Sequence, residues 1–199
     1  MRLFFPCLLG LYFAIASVHA TNSTKKTSGA WNVLERCHLI QSPGNDGDSF
    51  KVAHQSKEFV IRLYYVDCPE TYDTYKNRIH DQARYFSIAE SDVIASGKMA
   101  KTFTKKFLED GFTIITRWED ARGGREARYF GIVCKKDQLL STELIRSGLA
   151  RIYGMPVRDP SPKSFNPALY WEQLRRHERV AKQKGAGIWE IAQKRKMLK

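Results

Sequence analysis

The sequence predicts an α+β domain built on a mostly antiparallel sheet. Strand-like segments come first and helical ones are interspersed late, which is the α+β order. The regular strand–helix alternation of a doubly wound fold is missing, as is a glycine-rich phosphate loop. The 199 residues suit one domain. At 43% hydrophobic and 12% aromatic the chain can build a packed core, which excludes disorder over most of its length. Thirty-three Lys and Arg against 21 Asp and Glu give a formal charge of +12. A surface so basic attracts polyanions such as nucleic acid, anionic membrane or polysaccharide. The plainer alternative is a basic surface that only keeps the protein soluble.

Each element follows in order. Arg2 precedes an uncharged apolar run, Leu3 to Val18, and Val18-His19-Ala20 places short side chains before a cleavage after Ala20. That is the layout of a secretory signal peptide over 1–20, and the run is short for a bilayer span of about 20 residues. Cleavage takes Arg2 and Cys7 away, and retention would leave an N-terminal membrane anchor. Thr21 to Ala30 is small and polar, so 21–35 reads as a linker and 36–191 as the domain. Ser49–Val52 and Glu58–Val66 are rich in β-branched and aromatic residues and read as strands, the second ended by Pro69. A helix is expected near Asp81–Phe86. Another is expected over Lys98–Leu108, where Met99, Phe103 and Phe107 recur at i, i+4, i+8. Phe112–Trp118 and Arg128–Cys134 flank a Gly-Gly turn and form a hairpin. Ser141–Ser147 makes a short helix closed by Gly148, and Ala168–Lys184 a longer one stopped by Gly185. Residues 192–199 form a basic tail. Cys37, Cys68 and Cys134 allow at most one intramolecular pair, with Cys37–Cys134 as one option and buried thiols as the other.

Two short stretches concentrate acids at strand ends. In Asn45-Asp46-Gly47-Asp48-Ser49 the two aspartates are two apart, so an extended segment sends both to one side. In Arg62-Leu63-Tyr64-Tyr65-Val66-Asp67-Cys68-Pro69-Glu70 an Arg sits within an apolar strand, an Asp at its end, and a Glu past a rigid Pro. Such carboxylates repel one another unless a cation sits among them, and oxygen donors suit a hard ion such as Ca²⁺ or Mg²⁺. The bland reading of each stretch alone is a turn in which Asp caps its own backbone. Arg62 shifts the balance, because an Arg in an apolar strand needs an anionic partner. That partner is either a carboxylate in a structural pair or a phosphate in a bidentate clamp. Arg62 and Asp67 have opposite strand parity, so a twist or bulge must intervene if they share a site. Arg128, at the start of the returning strand, is a second clamp candidate. Two Arg, a divalent ion and a free Glu are the parts needed for phosphodiester hydrolysis. His38, His54, His80 and His177 show no metal spacing.

The run Asp46-Gly47-Asp48-Ser49-Phe50-Lys51-Val52, the stretch Arg62–Glu70, Ala100-Lys101-Thr102-Phe103-Thr104-Lys105-Lys106, Arg128, Leu144–Ala150 and Gly187-Ile188-Trp189 together resemble the staphylococcal nuclease-like, or thermonuclease, family. The resemblance covers roughly Cys37 to Trp189. It implies a five-stranded antiparallel OB-fold barrel with about three packed helices, and cleavage of DNA and RNA, single strands preferred, dependent on one Ca²⁺ ion. Carried over residue by residue, Asp48 and Asp67 are metal carboxylates and Asp46 an outer-shell one. Cys68, where the family usually has Thr, supplies its backbone carbonyl to the metal. Glu70 activates water, Arg62 and Arg128 clamp the phosphate, and Tyr153 is the nearest aromatic for substrate binding. Two departures fall where a nucleobase would stack. Glu126-Ala127 replaces the usual Tyr-Gly, and the tyrosine pair after the Gly-Leu-Ala segment is reduced to Tyr153. The stretch after Glu70 is longer than in the family, and is either a lid or a surface excursion. An exported monomeric nuclease with no obligate protein partner is the leading expectation. The rival is a catalytically weak nucleic-acid-binding barrel.

Overall fold

The computed structural model describes residues 29–121, 127–158, 160–163 and 165–198. The expected signal peptide, most of the linker and the Gly-Gly turn lie outside the described residues.

Alternating burial builds five long strands. β1 (Asn32–Leu39), β2 (Ser49–His54) and β3 (Lys57–Leu63) run antiparallel, as do β5 (Phe112–Thr116) and β6 (Arg128–Lys135). β1 also pairs with β5, and β3 pairs with β6 in parallel, so the ring β1–β2–β3–β6–β5 closes on itself. This is the expected OB barrel, closed by one parallel seam. Closure leaves the long strands no bare edge across that seam. The barrel interior carries Phe50, Val52, Ile61, Leu63, Ile114 and Val133. β4 (Val66–Asp67) leaves the barrel and pairs with β8 (Arg151–Ile152) in a separate ribbon. β7 (Gln138–Leu139) extends β6.

Among the described residues five helices surround the barrel, where the resemblance implied about three. They are α1 (Lys76–Phe86), α2 (Glu90–Phe107), α3 (Leu140–Arg146), α4 (Pro167–Lys184) and α5 (Ile188–Met197). Asn166 caps α4 through Leu169 N at 3.0 Å, and Gly185 ends it at φ 63°. Two sequence-based boundaries move, and one helix buries a different set of residues. β1 begins at Asn32, inside the stretch read as linker, because Leu34 and Cys37 are buried against the barrel. α5 absorbs most of the basic tail, because Ala192 and Trp189 bury on α4 while the lysines stay outside. On α2 the buried residues are Val93, Ser96, Gly97, Ala100 and Thr104, whereas Met99 is 45% exposed. A stripe of small residues, not the Met/Phe stripe, lets that helix approach the backbone below it.

The long segment after Glu70 is neither lid nor excursion. α1 and the start of α2 share a second core with α4 and α5, made of Ile79, Ala83, Phe86, Val93, Ala181, Ile188 and Trp189. Cys37, Cys68 and Cys134 are free thiols. Among the described residues no helix is long and apolar enough to cross a membrane.

Candidate functional site

The site forms where β3 leaves the barrel. Tyr65 takes φ 71°, a left-handed turn between β3 and β4. That turn reverses the strand parity and brings Asp67 back to Arg62, whose Nη2 donates to Asp67 Oδ1 at 3.0 Å. The same nitrogen reaches Asp48 Oδ2 at 3.4 Å, so one guanidinium spans both aspartates. Both carboxylates are almost fully buried, at 2% and 1% exposure. Asp48 beside it, with Asp67, pushes the Arg62 pKa up and keeps it charged. Asp48 Oδ2 also accepts Cys68 N–H at 2.9 Å, tying β2's lead-in to the Asp67–Pro69 turn.

Three residues missed in the sequence complete the cluster. Asp67 lies opposite Arg151 in the β4–β8 ribbon, and Arg151 Nε donates to Asp67 Oδ2 at 2.8 Å. On α1, Arg78 Nη2 donates to Asp67 Oδ1 at 2.7 Å, and Gln82 Nε2 to Asp67 Oδ2 at 3.0 Å. Gln82 is fully buried, and it also donates to the Cys68 carbonyl at 3.0 Å while accepting Glu70 N–H at 2.9 Å. Both signals were available. Arg151 interrupts an apolar run as Arg62 does, and Gln82 stands on the Ile79–Ala83–Phe86 face of a helix that begins five residues earlier than its apolar letters suggest.

Glu70 is half-buried and lies beside Arg78, Nε to Oε1 2.6 Å. The Arg78 Nε–H makes no aligned hydrogen bond, so this contact is Coulombic. Burial, the largest cause, pushes the Glu70 pKa up against the pull of Arg78. Gly97 on α2 fixes the turn from above, since a Cβ there would stand 2.2 Å from the Glu70 carbonyl oxygen.

Asp46 lies beside Asp48, close enough for the two side chains to interact. It sits in the loop before β2, and its Oδ1 accepts N–H from Asp48 at 3.1 Å and from Ser49 at 2.6 Å. It caps that turn, as the bland reading had it. Burial first, and Asp48 second, push its pKa up. Arg128 opens β6 in register with Val60. Registered residues of a parallel pair share a face, which puts Arg128 on the face of Arg62, with Cα atoms about 8 Å apart from strand spacing and rise. Tyr153 is 58% exposed, and the Arg151 guanidinium stacks on its ring at 4.3 Å. It therefore stands one side chain away from Asp67.

Among the described residues no three His, Cys, Asp or Glu side chains form a ready-made metal cage. The donor set nonetheless fits a hard cation held partly by water. Asp48 and Asp67 are spanned by one nitrogen, the Cys68 carbonyl lies beside them, and the buried Ser49 hydroxyl has no hydrogen-bond partner among the described residues. Burial and the neighbouring carboxylates hold the Cys68 thiol well above its usual pKa, so its sulfur stays protonated. A groove of about 360 Å³ adjoins the site, between α2 and the 39–46 loop. Lys98, Lys101 and Lys105 line it, together with Tyr72, Thr71 and Asp46.

Residues 60–191 match the family model described as staphylococcal nuclease homologue. No curated protein matches the chain significantly.

Proposed function

The chain belongs to the family of staphylococcal nuclease homologues, a family of nucleases and nucleic-acid-binding proteins, and from that premise we propose that it is an exported, Ca²⁺-dependent nuclease. It hydrolyses phosphodiester bonds of DNA and RNA with little sugar specificity, single strands before duplexes. One observation carries the reading. Arg62 spans two buried aspartates, with Glu70 held just beyond them on the same turn.

Asp48, Asp67 and the Cys68 carbonyl would hold the ion, which supplies charge stabilisation to the phosphate oxygens and a more acidic water. Arg62 and Arg128 receive the phosphate, and their fixed donors offset the charge that grows on its oxygens. Glu70 takes the proton of the attacking water, for which burial tunes it upward. Gln82 holds the turn that carries Asp67, Cys68 and Glu70. Tyr153 offers an exposed ring to a base, and the lysines of the adjoining groove track the strand. Residues 1–20 are the export signal, and the protein acts as a monomer. Thr21 is then the N-terminus that mass spectrometry of the exported protein should find.

A second reading is favoured by one observation. All four hydrogen-bonding positions of the Asp67 carboxylate are taken by protein donors, as expected of a binding barrel that keeps the residues without turnover. Denatured DNA and RNA incubated with the protein and Ca²⁺ separate the two. Cleavage of both supports the nuclease. Intact nucleic acid, retained in a complex that weakens with salt, supports the binding barrel.

A further inference from the structure

Asp67 faces three guanidinium groups of unequal standing. Arg151 is buried, at 8% side-chain exposure, and stacked on Tyr153. Arg62 is 16% exposed and shared with Asp48. Arg78 is 43% exposed, and its second contact, to Glu70, lacks an aligned hydrogen bond. The three arginines stand against the carboxyl groups of Asp67, Asp48 and Glu70 in one contiguous cluster. A divalent ion entering this cluster finds every position on Asp67 filled. One donor has to leave, and the divalent charge repels whichever guanidinium stays nearest.

We infer that Arg78 is a built-in counter-ion, standing between Asp67 and Glu70, which the arriving cation displaces and which then binds the substrate phosphate. This rests on the nuclease reading for its second half only. Of the three arginines, Arg78 can move at least cost, because its guanidinium is the most exposed. Its backbone need not move, since Ile79, Ala83 and Phe86 anchor α1 in the second core. Gln82, one turn further on, stays on Asp67 and the Cys68 carbonyl, so the turn keeps its shape when Arg78 swings out. The released guanidinium remains beside Glu70, at the mouth of the site, where a phosphate offers two oxygens to its fork.

Calorimetry of Ca²⁺ binding to the protein, Arg78→Met and Arg84→Gln tests this. Arg84 lies on the same helix but bonds His80, so it controls for charge removal alone. Binding of an oligothymidylate with phosphorothioate linkages, measured in Ca²⁺, gives the second readout. Removing a competing charge from a shared carboxylate should tighten Ca²⁺ binding by about tenfold or more in Arg78→Met, while oligonucleotide binding weakens by about tenfold. Arg84→Gln should shift neither by more than about twofold. A purely structural arginine would weaken both together, and that result overturns the inference. So does unchanged Ca²⁺ affinity in Arg78→Met. If that variant does not fold, Arg78→Gln, which also removes the charge but keeps hydrogen-bonding donors, should still tighten Ca²⁺ binding, and failure to do so overturns it equally. A wild-type protein inert toward nucleic acid, beside tighter Ca²⁺ binding in Arg78→Met, removes the nuclease reading and leaves the counter-ion standing.

Discussion

Asp67 draws donors from β3, α1 and β8, and the energetics of the site follow from that convergence. Removing Arg151 takes one of four donors from the buried Asp67 carboxylate, which keeps Arg62, Arg78 and Gln82. Arg151→Met should therefore destabilise the fold by about 1–3 kcal/mol, read from urea unfolding. Glu70→Gln leaves the fold intact but removes the proton acceptor, so activity should fall by about 10²–10⁴-fold. The pH dependence has a definite sign. Glu70 works ionised, and burial raises its pKa above the ordinary glutamate value of about 4.3. Activity should therefore rise with pH along an acid limb displaced upward from that value, and a kcat/KM profile checks it. Arg62 was legible in the sequence because an Arg in an apolar strand must have an anion. Its meeting with Asp67 was not, because that depends on the left-handed Tyr65, and neither Tyr64 nor Tyr65 advertises a positive φ.

At the scale of elements, α2 meets the site through its small residues. Gly97 lies against the backbone of Pro69 and Glu70, closer than any Cβ could. Gly97→Ala should push helix and turn apart, costing about 1–3 kcal/mol in stability and moving Glu70 out of place, so that kcat falls with it. Thermal unfolding together with kcat checks both. The sequence placed this helix's C-terminal half correctly, and of the stripe it marked Phe103 and Phe107 pack against the core while Met99 does not. Aromatic periodicity marks Phe103 and Phe107, which are half-buried, and it hides Ser96, Gly97 and Ala100, whose value lies in being small. α1 was half legible for the same kind of reason. Its polar letters include Arg78 and Gln82, which face Asp67 rather than core, and hydrophobic patterning is blind to a helix that serves a site. β2, β3, β5 and β6 were legible because their interior faces are mostly apolar, whereas β1 was not, because only Leu34 and Cys37 bury among its polar residues.

At the scale of the molecule, a closed barrel and a second core of α1, α2, α4 and α5 clasp the carboxylate cluster between them. The excess of basic residues then acts on the approach of a polyanion. Nucleic-acid affinity should fall log-linearly with salt. Replacing Lys98, Lys101 and Lys105 by Met should reduce the slope by about 2, at about 0.7 per single-strand phosphate contact. Binding isotherms over a salt series measure it. The measurement closest to the central claim is cleavage of single-stranded DNA by the protein and by Glu70→Gln, each with Ca²⁺ and with a chelator. The expected result is cleavage by the unsubstituted protein with Ca²⁺ and in none of the other three reactions. Cleavage that survives the chelator would contradict the metal role of Asp48 and Asp67, and undiminished cleavage by Glu70→Gln would contradict the role of Glu70.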